Sequence, residues 1–169
     1  MNLYLLRHGI AVATEQPGIG SDGERPLTPK GIKRMRRAAQ GLRRLKIGFD
    51  SILTSPLVRA RQTADIVAEA LGLETRLEEI SELAPETSVD SLIASLAHFQ
   101  DKKHLLLVGH NPLLPDSAAF LITGKRNSGV QIDLKKGGLC CIEIDGPPPA
   151  NPGTLRWFLT PKQLRRLGD

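Results

Sequence analysis

Apolar residues occur along this chain in two rhythms. Residues 3–6 and 105–108 are continuous apolar blocks, and 50–54 holds a shorter one at Ile52 and Leu53; each is followed at once by polar residues. Such blocks fit strands buried on both faces of a sheet. Between them, Ile32, Met35, Ala39, Leu42 and Leu45 recur at helical spacing. So do Ala60, Ala64, Val67 and Leu71, and then Val89, Leu92, Ile93, Leu96 and Ala97. Thr28-Pro29, Ser55-Pro56 and Asn111-Pro112 each set a capping side chain before a proline, which predicts three helix starts. Gly72 and Gly124 mark helix ends. Residues 10–27, with three glycines and two prolines, read as a loop, and 74–80 as a short strand.

After Gly124 the rhythm changes. Residues 130–134, 139–144 and 155–159 read as strands, joined by Gly137-Gly138 and by the proline-rich loop 146–153. Thr160 followed by Pro161 and Gln163 predicts a capping box and a terminal helix. Strands alternating with helices, then strands alone, predict one three-layer α/β/α domain over 1–169. Its central sheet is mostly parallel, with an antiparallel contribution from the C-terminal strands.

Composition narrows the class. With 169 residues, 40% hydrophobic and 24% charged, the chain falls within the globular range and outside the disordered one. No apolar run reaches the roughly 18 residues that a membrane-spanning helix needs. The N-terminus lacks a basic region before its short apolar stretch, so no signal peptide is expected and the cytoplasm is the expected compartment. The two cysteines, Cys140 and Cys141, are adjacent in a predicted strand and point to opposite faces, which suits packing and not a disulfide.

Lys and Arg number 23 against 18 acidic residues, a formal charge of +5. Much of the excess lies in the predicted helix 30–46, where Lys33, Arg34, Arg36, Arg37, Arg43 and Arg44 occur with no acidic residue. That face suits solvent or an acidic protein partner. Aromatic residues, at 4%, are too scarce for a base-stacking surface, so neither nucleic acid nor a membrane is an expected partner.

The chemistry gathers at one edge. Ligands of open α/β sheets bind beyond the carboxyl ends of the strands. Three predicted strands end there in Arg7-His8, in Ser55 with Arg59 a turn later, and in His110-Asn111. Any one of these is an ordinary strand-end or helix-surface residue. Together they form a cationic pocket for an anion, with arginines to grip phosphoryl oxygens and histidines to attack or carry protons. His98 and His104 lie away from that edge. No His and carboxylate set shows metal-ligand spacing, so no metal or other cofactor is expected.

These blocks resemble the histidine phosphatase superfamily, which includes the phosphoglycerate mutases. Arg7-His8-Gly9, Arg25-Pro26-Leu27-Thr28, the stretch 55–64 beginning Ser55-Pro56 and containing Arg59, and Val108-Gly109-His110-Asn111-Pro112 match its motifs in order. The short chain and the Arg25 block are most similar to the SixA-type phosphohistidine phosphatases. The resemblance implies that His8 is a nucleophile that becomes phosphohistidine. It implies that Arg7, Arg59 and His110 bind the phosphoryl group and that Arg25 adds to the pocket, without a metal.

Many superfamily members carry a glutamate after the third strand as general acid. Glu82 is the nearest match, without the flanking residues that mark the mutases. An imidazole leaves more readily than an alkoxide, so a weak acid fits a phosphohistidine substrate on a signalling phosphotransfer protein. Two alternatives stay open: a small-metabolite phosphomonoesterase with Glu82 as acid, and a non-catalytic phosphate-binding adaptor. Binding alone requires no nucleophile, which counts against the adaptor.

Overall fold

A computed structural model describes residues 1–169. Six strands form one sheet: β1 (Asn2–Arg7), β2 (Ser51–Thr54), β3 (Leu77–Glu79), β4 (His104–Gly109), β5 (Leu139–Glu143) and β6 (Thr154–Leu159). Five helices accompany them: α1 (Pro29–Arg44), α2 (Val58–Leu71), α3 (Val89–Ser95), α4 (Leu113–Thr123) and α5 (Pro161–Leu167). The order across the sheet is β3-β2-β4-β1-β5-β6. β1, β2, β3 and β4 run parallel, whereas β5 is antiparallel to β1 and β6 to β5. This is the expected mixed sheet.

Period-two alternation splits the core into two layers. Tyr4, Leu6, Ile52, Leu106, Val108 and Cys141 face one side, under α1, α2 and α5. Leu3, Leu5, Leu53, Leu105, Leu107 and Cys140 face the other, under α3 and α4. Both cysteines are buried and free. The apolar spacing of α1 explains its seat: Met35, Ala38, Ala39 and Leu42 are buried, while its arginines look outward. α1 lies against α5 at backbone contact, because a Cβ on Gly41 would come within 2.0 Å of the Leu164 carbonyl oxygen. Gly31, at the start of α1, makes the same close approach to the Ile10 carbonyl (2.2 Å), which pins the loop that follows His8.

Caps fall mostly as expected. Thr28 accepts from the Gly31 amide and Thr160 forms a full capping box with Gln163. Gly72 and Gly124 end α2 and α4 in the left-handed conformation that glycine adopts without strain. Five expectations need correction. α2 starts at Val58 instead of directly after Ser55, and α4 starts at Leu113. The strand expected over 74–80 shrinks to Leu77–Glu79 behind a 3-10 turn, and the helix after Val89 becomes 3-10 beyond Ser95. Residues 130–134 form no strand. Both sides of β1 are already paired, by β4 and β5, so this segment instead crosses the end of β1, where the Leu134 carbonyl accepts from Arg7 and Asn111.

Candidate active site

The parallel strands β1, β2 and β4 end in register, Arg7 opposite Gly109 and Thr54 opposite Val108. The next residues are therefore delivered to one edge. The His8 amide donates to the Gly109 carbonyl (3.1 Å) and the Ser55 amide to the Val108 carbonyl (3.0 Å), extending the ladder one residue past the strands. From the far side the Gly137 amide donates to the carbonyls of Arg7 (3.0 Å) and His8 (3.1 Å). His8 is thus held by its backbone on two sides.

Its ring is held as well. His8 Nδ1 lies 2.7 Å from the Gly9 carbonyl oxygen, which can only accept, so Nδ1 carries the proton and Nε2 keeps a free lone pair. The Gly9 amide in turn donates to Thr63 Oγ1 (3.0 Å), whose hydroxyl donates to the Arg59 carbonyl (2.7 Å). Thr63 stands one turn after Arg59 on the buried face of α2, and it fastens the helix bearing Arg59 to the loop bearing His8.

His110 lies beside His8, with ring centroids 5.0 Å apart. Its Nε2 is 2.9 Å from Ser55 Oγ, which already accepts from the Leu57 amide (3.3 Å). With the Ser55 hydroxyl proton turned to His110 Nε2, His110 Nδ1 is left as a donor. That Nδ1 is buried and has no acceptor; nor do the buried Nε atoms of Arg7 and Arg59. Buried donors without partners are costly, and an anion is what satisfies them.

One carboxylate reaches the group. Asp22, in the 3-10 turn Asp22–Glu24, accepts from Arg59 at its side chain (2.8 Å) and at its carbonyl (2.6 Å). The other carboxylate oxygen of Asp22 lies 3.1 Å from Arg25 Nε. That pair is close enough for charge attraction but too poorly aligned for a hydrogen bond, and Arg25 bonds Thr14 instead (3.0 Å). Although what burial Asp22 has works against its charge, Arg59 and then Arg25 hold its carboxyl below the usual range.

The structure brings Arg7, His8, Arg25, Arg59 and His110 together. Glu82 it leaves half-buried in a 3-10 turn after β3, accepting from the Ser81 hydroxyl (3.1 Å) and bonded to none of the five. That turn does reach the same edge, since Leu83 packs at Gly109. His104 is far off, at the opposite end of β4, bonded to Tyr4. Asp22, Thr63 and Lys136 escaped the sequence reading. Burial, and then the charges of Arg7, Arg25 and Arg59, lower the Lys136 pKa. Only Thr63 carried a sequence signal, as a polar residue on the apolar stripe of α2.

Burial, reinforced by His110, Arg59 and Arg7, pushes the His8 pKa down to about 3, against the lesser pull of Gly9. Burial and Arg59 bring His110 to about 4, with Asp22 opposing. Both imidazoles are neutral at any pH above that range. The acid limb of kcat/KM, corrected for ionisation of the substrate, is therefore expected between pH 3 and 5, well below the 6.5 of a free imidazole. A pH–rate profile with its limb near 6.5 would contradict this electrostatic picture.

Comparison with known proteins agrees with the geometry. Residues 3–84 match the model of the histidine phosphatase superfamily, branch 1. The phosphohistidine phosphatase SixA of Escherichia coli K12 is 28% identical over 98% of this chain and 97% of its own. A SixA homolog of Haemophilus influenzae is 36% identical over 75% of this chain and 80% of its own. A solved structure of the protein histidine phosphatase SixA with tungstate superposes with a TM-score of 0.83, covering 97% of this chain and 99% of that one. The chain belongs to the histidine phosphatase superfamily and is a SixA-like phosphatase.

Proposed function

We propose that residues 1–169 act as one metal-independent phosphohistidine phosphatase domain in the cytoplasm, with a histidine-phosphorylated signalling protein as substrate. The observation that carries this reading is a nucleophile of fixed tautomer among buried donors lacking acceptors: Nε2 of His8 is free, and His110 Nδ1, Arg7 Nε and Arg59 Nε surround it unpartnered. His8 Nε2 attacks phosphorus in line. A P–Nε2 bond forms, the substrate P–N bond breaks, and the electron pair of that bond stays on the departing imidazole. A substrate ring protonated at its remote nitrogen leaves as neutral imidazole, so no acid has to reach the scissile bond.

Water then attacks the phosphorus of phospho-His8 and gives up a proton to bulk solvent. The His8 Nδ1 proton, held on the Gly9 carbonyl, lets His8 leave as a neutral ring too. Arg7 and Arg59 neutralise the equatorial oxygens and His110 donates a hydrogen bond to them in both steps, with Arg25 adding charge at the mouth. Cationic side chains supply what a metal supplies elsewhere, so turnover is expected to persist in excess EDTA. Restoration of a lost activity by Mg²⁺ or Zn²⁺ would contradict that.

A small-ester phosphatase is the second reading, and the placement of Glu82 on the turn that packs at Gly109 favours it. Substrate comparison separates the two. A phosphorylated phosphotransfer domain is expected to turn over at least about a hundredfold faster, in kcat/KM, than any of a panel of small phosphate esters. Glu82→Gln is expected to leave phosphohistidine turnover within about twofold and to slow esters more as the leaving-group pKa rises. Faster turnover of an alkyl ester, with a large Glu82→Gln penalty, would establish the second reading instead.

A further inference from the structure

Beside the five-residue site lies a groove of about 520 Å³ whose lining, Arg7 apart, the phosphoryl chemistry does not use. It begins at Arg7, follows α1 over Gly31 and Ala38, and reaches α5. Arg34 of α1, Lys135 and Lys136 before β5, and Lys162 and Arg165 of α5 line it with Arg7, and no acidic side chain does. Three separate parts of the chain thus bring their charges to one groove.

Lys135 has a partner in Asp133 (2.8 Å). Arg34, Lys136, Lys162 and Arg165 have none within ion-pair distance. Burial, then Arg34 and Arg37, lower the Arg165 pKa, so like charges sit close together on the folded protein. Such self-repulsion, partly offset by Asp169, opposes folding, and an arriving anion relieves it further.

We propose that this groove docks an acidic polypeptide segment, the carboxylate-rich stretch flanking the phosphohistidine of the substrate protein. The proposal rests on the phosphatase reading for the identity of that protein, though not for the binding of the segment. The layout selects the occupant. A compact anion would engage one end, whereas these cations are spread over two helices and a loop. The volume holds several side chains, and a chain seated there ends against Arg7 and Gly9, the two neighbours of His8 in sequence. No aromatic residue lines the groove, so it offers nucleic-acid bases no stacking platform.

The direct test is the affinity of the full-length protein for a fluorescent Asp- and Glu-rich peptide without phosphate, beside its Asn/Gln counterpart and an oligonucleotide of equal charge. Wild type is expected to bind the acidic peptide, with affinity falling as salt rises, and to ignore the neutral one. The triple variant Arg34→Gln, Lys162→Gln, Arg165→Gln is expected to bind at least tenfold more weakly while hydrolysing p-nitrophenyl phosphate within about twofold of wild type. Should the triple variant misfold, Lys162→Gln alone, at an exposed position, is expected to show a smaller loss in the same direction. Unchanged peptide affinity in a folded variant, tighter binding of the oligonucleotide, or no binding by wild type would each overturn the proposal. Phosphohistidine peptides with acidic and neutral flanks form the second arm. If wild type binds the acidic probe but hydrolyses neither peptide, the substrate assignment fails and the groove stands.

Discussion

His8→Ala is expected to abolish turnover, by a factor on the order of 10⁴ or more, and to leave no acid-labile phosphoenzyme in a rapid-quench experiment. Wild type is expected to trap the label on His8. The size of the effect follows from the geometry. The ring is oriented by the Gly9 carbonyl, its amide completes the ladder to Gly109, and no other unprotonated ring nitrogen has the same freedom. His110 is the only competitor close enough, at 5.0 Å between centroids, but its Nε2 is engaged by Ser55, and with the Ser55 proton in that bond its Nδ1 is the protonated nitrogen. A neutral ring with Nδ1 as donor stabilises charge and does not attack. Label on His110, or residual turnover within a hundredfold of wild type, would reverse the two assignments.

The parts legible in the sequence are those with a local physical signal. Continuous apolar blocks gave away β1 and β4, because a strand covered on both faces needs apolar residues at every position. The polar residues following each block then had to emerge at the same sheet edge, which is how Arg7, His8 and His110 could be read together. Residues 130–134 misled because their alternating Val130, Ile132 and Leu134 carry the period of a strand, while pairing depends on a free edge elsewhere in the sheet. Asp22 and Lys136 were illegible for a different reason. Each lies in a loop with no periodicity, and each acquires meaning only when folding carries it to arginines distant in sequence. Ser55 carries the sequence signature of a helix cap, yet its main partner is His110, 55 residues away.

Arg59→Ala is the second large expected effect, a loss of about 10²–10³ in kcat/KM, corresponding to the ~3 kcal/mol typical of one well-placed electrostatic donor. The residue is 4% exposed and held by α2, with Asp22 accepting from both terminal nitrogens and Nε left free. Removing it leaves Asp22 with Arg25 as its remaining cation, and that carboxylate is largely exposed, so the fold should survive with native circular dichroism. Arg59→Lys should recover only a small part of the activity, since an ammonium cannot reproduce the planar fork. A second readout separates an electrostatic role from a merely structural one. Arg59 is among the charges that hold the pKa values of His8 and His110 down. Without it both should rise, and the acid limb of the pH–rate profile should move toward neutrality. A residue that only packed α2 against the loop would lower stability and leave that limb in place. Near-normal turnover with an unmoved limb in a folded variant would take Arg59 out of the site.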